Sequence, residues 1–205
     1  MILGIETAST DTSVALAADD GTLVAVDGRS GDARQNGTLL PRVQALLGGR
    51  GLREVSRIGV GIGPGSFTGL RVGLSLAKGL AHALGVPIVG VPSLEGWLAA
   101  EPEADAALCR AGAREAYLLP RGETEPLVVE PDAAAELSQR RIVIAPAELV
   151  AAFGLVGTVA PHRAAAAVAR LAAGAAPSDL ASLEPGYGRP PRGLGPVPEG
   201  IVRWL

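Results

Sequence analysis

The segment Gly61-Ile62-Gly63-Pro64-Gly65-Ser66-Phe67-Thr68-Gly69-Leu70-Arg71 constrains this chain more than any other. It follows residues 57–62, a continuous apolar run that predicts a buried strand. It precedes Leu70, Val72, Leu74, Leu76, Ala77, Leu80 and Leu84, whose spacing predicts a helix over 70–84 closed by Gly85. Glycines in the turn permit positive φ and close backbone approach, and Pro64 stiffens it. Ser66 and Thr68 are good N-caps. The free N–H groups at the helix start, with Arg71 beside them, suit an anion. The segment lacks the Gly-Lys-Ser/Thr ending of a Walker loop, and its glycines do not give the dinucleotide spacing G-x-G-x-x-G. Two readings follow: a phosphate-binding turn, or a tight turn that lets a helix lie close against a sheet or a second subunit.

The rest of the chain predicts an α/β fold with a mixed sheet. Residues 2–8, 13–18 and 22–27 read as an antiparallel meander with a turn at Asp19-Asp20-Gly21. Leu39, Leu40, Val43, Leu46 and Leu47 predict a helix that stops at Gly48-Gly49. Residues 86–91 predict another buried strand, and Ser93 opens a further helix. Beyond the composition shift at Glu101-Pro102-Glu103, residues 107–109, 116–119, 127–129 and 141–144 are strand candidates. Residues 132–139, 147–153 and 163–173 are helix candidates, and the Pro/Gly-rich tail from Pro185 is expected to lie extended on the surface. No internal repeat of 20 to 50 residues is visible.

A hydrophobic fraction of 48% supports a sizeable core, and an aromatic fraction of 3% makes that core Ala, Val, Leu and Ile. The net charge of −3 argues against a stand-alone nucleic-acid binder. A lone cysteine, Cys109, permits no internal disulfide and reads as a small buried side chain. No apolar run reaches the roughly 18 residues that span a bilayer. These features predict a soluble cytoplasmic protein without membrane contact. The two histidines, His82 and His162, lie far apart, and neither has an acidic or histidine partner at helical ligand spacing, so no metal-dependent transferase site is expected. No Ser/His/Asp or Cys/His arrangement is visible either.

The stretch IGVGIGPGSFTGLRVGLSLAKGLAHALGVPIVGVPSLEG, roughly a fifth of the chain, closely resembles the signature of the TsaB (YeaZ) family. The start MILGIETASTDTSVAL is similar to that of TsaB and of its catalytic paralogue TsaD. LEPGYGRP at 183–190 is similar to the family's Pro-x-Tyr-x-Arg tail. GAREAYLLP resembles a family strand, with Gly112 in place of an acid. In many TsaB relatives a histidine begins the segment before Leu-Leu-Pro, where this chain has Gln35-Asn36-Gly37-Thr38.

The resemblance implies an actin-like ATPase (ribonuclease H-like) fold of two lobes with mixed sheets, the second reduced. It implies an N-terminal lobe over 1–100 that carries the subunit interface, and a smaller degenerate lobe over 101–205. In such folds the first hairpin approaches phosphate, which makes Thr7, Ser9, Thr10, Gly63 and Gly65 candidate nucleotide contacts. Glu6 would hold a metal-bound water in a competent enzyme; by its position alone it reads as a hydrogen-bonded strand-end carboxylate.

The function implied is a non-catalytic partner subunit for threonylcarbamoyladenosine formation at position 37 of tRNA. It would bind a TsaD-like catalytic subunit and help recruit a TsaE-like ATPase, form a homodimer in isolation, and meet tRNA only through the complex. No cofactor is required by this chain alone, with ATP or ADP expected at a subunit interface. The expected interface comprises Leu40, Val43, Leu47, Phe67, Thr68, Leu70, Arg71, Leu74, Lys78 and His82, with Gly73, Ala77, Gly79 and Ala81 allowing close helix approach. The alternatives are an autonomous actin-like ATPase or kinase, and a homodimeric binding module or peptidase.

Overall fold

The computed structural model describes residues 1–29, 39–112 and 114–187. The expectations for Gln35–Thr38 and for the tail beyond Tyr187 lie outside the described residues. Strands β1 (Ile2–Glu6), β2 (Thr12–Ala17) and β3 (Leu23–Arg29) form the expected meander. Helix α1 (Leu39–Leu47), strand β4 (Arg57–Gly61), helix α2 (Phe67–Leu84) and strand β5 (Ile88–Val91) follow. The first sheet has the order β3-β2-β1-β4-β5, antiparallel through β1–β2–β3 and parallel through β1–β4–β5.

Helix α3 (Ser93–Ala100) leads to β6 (Ala106–Arg110), β7 (Ala116–Pro120), β8 (Leu127–Val129), α4 (Pro131–Arg140), β9 (Val143–Ile144), α5 (Ala147–Phe153), β10 (Thr158–Val159) and α6 (Ala164–Gly174). The second sheet reads β8-β7-β6-β9-β10, antiparallel then parallel. It repeats the first sheet strand for strand, which gives the two-lobed actin-like arrangement. The second lobe is the smaller: β9 and β10 have two residues each. The sequence shows no trace of this duplication, because what repeats is the strand order and not the residues.

Period-2 alternation sorts the central strands by size. Leu3, Ile5, Val14, Leu16, Ile58 and Val60 meet α1 and α2 through Leu39, Val43, Leu47, Leu74, Ala77 and Ala81. Apart from Ile2, Val89 and Val91, the opposite face is built of small residues, and it receives the alanines of α6. A Cβ on Gly4 would lie 2.1 Å from the Ala165 carbonyl oxygen, and one on Gly59 2.7 Å from the Ala172 Cβ. An alanine-rich helix on a glycine-bearing face gives close contact without aromatic bulk. Trp97 of α3 is fully buried between the lobes, with Ala8 and Leu70 on one side and Cys109, Tyr117 and Leu119 on the other. No helix among the described residues is long and apolar enough to cross a membrane.

Helix α2 begins at Phe67, a turn earlier than the leucine spacing suggests, because Ser66 caps it by accepting the Gly69 N–H at 3.2 Å. Thr68 lies inside the first turn instead. Gly85 ends α2 in the left-handed conformation. Arg163 holds the N-cap position of α6, without a side-chain hydrogen bond.

Candidate functional site

The β1–β2 hairpin, residues 7–11, rises from the centre of the first sheet, and its polar side chains turn inward. Thr7 is buried and donates its hydroxyl to the Gly69 carbonyl at 2.8 Å. Gly73 makes room for it, since a Cβ there would lie 2.2 Å from Thr7 Oγ1. Ser9 Oγ donates to the Asp11 carbonyl and accepts the Asp11 N–H, both at 3.1 Å. Ser66 N–H donates to the Ala8 carbonyl at 2.6 Å, which ties the hairpin to the β4–α2 turn.

Glu6 is wholly buried at the end of β1. Its Oε1 accepts the Ala8 N–H at 2.7 Å and the Ser93 hydroxyl at 3.2 Å, and Ser93 Oγ in turn accepts the Gly63 N–H at 3.0 Å. Oε2 and the buried indole Nε1 of Trp97 make no hydrogen bond of ordinary geometry, although the indole lies near enough to the carboxylate to favour its charge. Gly61 leaves the space that Oε2 fills, as a Cβ there would lie 2.2 Å from it. Desolvation raises the Glu6 pKa from 4.5 to about 7, against the lowering pull of the Ala8 N–H, the Ser93 hydroxyl, the Thr7 N–H and the Trp97 side chain. Glu6 is thus the hydrogen-bonded strand-end carboxylate, organising the hairpin, the α3 start and the Gly63 turn together.

A cleft of about 410 Å³ opens between the lobes, lined by residues 8–10, 65–67 and 110–112 and by Glu148. Ser9, Thr10 and Gly65 line it. Thr7 does not, being spent on Gly69. Gly63 does not either; it faces the chain's own C-terminal segment, where a Cβ would lie 2.6 Å from the Gly186 carbonyl oxygen. Glu148 reaches across from α5, and its carboxylate accepts the Thr10 hydroxyl and, at 3.5 Å, the Thr10 N–H. Asp11 Oδ2 accepts the Ala147 N–H at 3.2 Å, and Cys109 Sγ donates to the Pro64 carbonyl at 3.4 Å. The lobes are thereby joined across the cleft. Glu148, Arg110, Asp11 and Ser93 went unselected in the sequence: Glu148 stands in an ordinary Ala-Glu-Leu helix start, and its partner is far away in the chain. Among the described residues, no group of three His, Cys, Asp or Glu could hold a metal ion.

The expected interface divides. Val43, Leu47, Leu70 and Leu74 are buried in this chain's own core and cannot meet a second subunit as it stands. The same correction applies to Gly73, Ala77 and Ala81, whose small size serves the α2 contact with its own sheet. Leu40, Phe67, Thr68, Arg71 and His82 are exposed. Residues 178–187 strap the outside of α2 and β5. Ser178 N–H donates to the Ile88 carbonyl at 2.8 Å, and Gly186 N–H to the Ile62 carbonyl at 2.6 Å. Half-buried Lys78 holds the strap through the Ala181 and Leu183 carbonyls, both at 3.2 Å. The Arg71 guanidinium lies 3.8 Å from the Phe67 ring centre, and its Nε donates to the Tyr187 hydroxyl at 3.0 Å. The result is an aromatic–arginine cluster at the exposed end of α2, a residue set enriched at protein interfaces.

Known proteins resemble this chain in sequence and in fold. Residues 36–145, more than half of the chain, match the family model described as TsaD: tRNA N6-adenosine threonylcarbamoyltransferase. The tRNA threonylcarbamoyladenosine biosynthesis protein TsaB of Escherichia coli is 41% identical over 98 residues, 45% of this chain and 40% of that protein. The TsaB of Bacillus subtilis is 38% identical over 96 residues, 46% of this chain and 42% of that protein. The matched region thus spans less than half the length of these relatives. Among solved structures, a Pseudomonas aeruginosa protein described by its similarity to peptidase YeaZ superposes with a TM-score of 0.68 at 26% identity, over 92% of this chain and 99% of that one. YeaZ from the same organism gives 0.61 at 25% identity, over 82% and 89%.

Proposed function

Since the chain belongs to the TsaB (YeaZ) family, within the wider TsaD family, we propose that it is the non-catalytic partner subunit for threonylcarbamoyladenosine formation at position 37 of tRNA. The observation that carries this reading is the state of the interlobe cleft. The hydroxyls of Ser9 and Thr10 and the Glu148 carboxylate, which line it, are engaged with one another or with backbone, as are the Thr7 hydroxyl and Glu6 Oε1 outside its lining. That is a hydrogen-bonded joint between lobes, and among the described residues it holds no nucleophile and base paired for a substrate.

In this reading the exposed parts of α2, with Phe67, Thr68, Arg71 and His82, meet a TsaD-like catalytic subunit, and the same surface supports a homodimer when the chain is alone. A TsaE-like ATPase joins the pair, any ATP or ADP is held at a subunit junction, tRNA is met only through the complex, and the protein works in the cytoplasm. The test is reconstitution. The purified chain alone is expected to make no threonylcarbamoyladenosine, and to restore activity to a mixture of the other components that lacks it. Equal activity of that mixture without the chain refutes the reading.

The description of the Pseudomonas structure by similarity to a peptidase motivates a second reading. Its candidate nucleophile, Ser66, is occupied here as the α2 cap. Peptide cleavage by the chain, abolished by Ser66→Ala, would establish it.

A further inference from the structure

We propose that Glu148 is a built-in anion, whose carboxylate fills an oxyanion site formed across the cleft by the Thr10 amide and hydroxyl beside Arg110, and so keeps phosphate-bearing ligands out. The inference stands whether or not the chain serves tRNA modification.

The duplicated sheets bring four corresponding segments to one place: the β1–β2 hairpin, the β4–α2 turn, the β6–β7 hairpin and the β9–α5 turn. Three of the four present donors to the cleft. The first hairpin offers the Thr10 N–H and hydroxyl, the Ser9 hydroxyl being spent on the Asp11 carbonyl; the β4–α2 turn offers Ser66; the second hairpin offers Arg110. Arg110 donates Nη1 to the Gly112 carbonyl at 3.3 Å. The fourth segment supplies the acceptor. Both oxygens of Glu148 are used, Oε1 on the Thr10 N–H and Oε2 on the Thr10 hydroxyl, a two-point grip of the kind an oxyanion makes.

The carboxylate also sets the charge of the cleft. Cys109, in the strand leading to the second hairpin, has its thiol pKa pushed up by burial first, and then by the charges of Glu6 and Glu148. Asp11, buried behind Thr10, adds a further carboxylate, held by the Ala147 N–H through Oδ2. A phosphate entering beside these groups meets like charge and finds its donors occupied. Removing the Glu148 carboxylate returns two donors to the cleft and leaves Arg110 facing it.

The test titrates inorganic phosphate, and separately ATP, into the wild type, Glu148→Ala, and the double variant Glu148→Ala/Arg110→Ala, at constant ionic strength. The readouts are isothermal calorimetry and the Thr10 amide shift by NMR. The wild type is expected to show no saturable change up to about 10 mM, while Glu148→Ala saturates with a dissociation constant of about 1 mM or lower, a gain of at least about tenfold. The double variant is expected to lose that gain. Tighter binding of ATP than of phosphate by Glu148→Ala identifies a nucleotide as the excluded ligand; equal binding identifies a simple oxyanion. If Glu148→Ala does not fold, Glu148→Ser, whose short side chain cannot reach the Thr10 donors, is read in the same way. Failure of the folded variant to bind, binding as tight by the wild type, or binding that leaves the Thr10 amide unmoved each overturns the proposal.

Discussion

Ionisation of Glu6 should make this protein measurably less stable in mildly alkaline than in mildly acidic solution. Its carboxyl titrates near 7 in the folded chain, against 4.5 when solvated. A raised carboxyl pKa means that the folded state holds the proton more tightly than the unfolded one. Stability therefore falls as pH rises, starting near the unfolded value and levelling off above the folded one. Between pH 5 and pH 8 the linkage relation gives a loss of roughly 2.5 kcal/mol from this group alone. Other shifted groups fall outside that window. Asp19, Asp20 and Asp179 are held low by the Ser56 hydroxyl, the Thr22 N–H and the Ser182 N–H respectively. Burial raises Asp27, but Arg42 and Arg29 outweigh it and hold it low. Cys109 titrates above the window. Urea unfolding followed by far-UV circular dichroism at pH 5, 6, 7 and 8 measures the slope, with Glu6→Gln in parallel. The wild type is expected to lose stability steadily, and the variant's curve to be flatter by the amount assigned to Glu6. A flat wild-type curve, or a variant with an unchanged slope, refutes the account of Glu6 as a carboxylate destabilised by burial.

Other perturbations separate the parts of the fold. Gly4→Ala drives a methyl into the Ala165 carbonyl and lifts α6 from the sheet, with an expected loss of at least about 2 kcal/mol in chemical denaturation. Arg42→Met strands the groups that this buried arginine satisfies, the Asp27 carboxylate and the Thr12 hydroxyl and carbonyl. It should cost about 3 kcal/mol and raise the Asp27 pKa, followed by carboxyl NMR. Lys78→Ala removes two hydrogen bonds from the strap and should cost only about 1 kcal/mol, while proteolytic cleavage within 178–187 accelerates.

Most of the elements were legible because each carried its own local signal. Short apolar stretches and the turn at Asp19-Asp20-Gly21 announced the meander, leucine spacing announced α1 and α2, and Gly85 marked the end of α2. The turn at 61–66 was read correctly as a place of close approach, but the neighbour was missed. Gly61 yields to a carboxylate, Gly63 to the Gly186 carbonyl and Gly65 to Ala8, and each of these contacts comes from another part of the fold. The buried members of the expected interface were misassigned for a related reason. A leucine stripe states that a helix buries a face, not which surface covers it, so Leu70 and Leu74 fit equally well against a partner or against their own sheet. The cleft was half legible. The hydroxyl-rich hairpin stood out, whereas Glu148, which answers it, sits in an unremarkable helix start.

The glycine-lined face of the first sheet has a consequence for how the protein is made. Its cover, α6, is translated after the whole of the second sheet, so between the emergence of Val91 and that of Ala164 the sheet stands with one side bare. At the usual ribosomal pace of about 5–20 residues per second, that interval lasts roughly 4 to 15 s. A nascent chain in this state shows Ile2, Val89 and Val91 to solvent and to any holdase waiting at the exit tunnel. The first-made sheet is thus among the last parts of the molecule to be sealed, and a chain cut short before Ala164 would keep that face open.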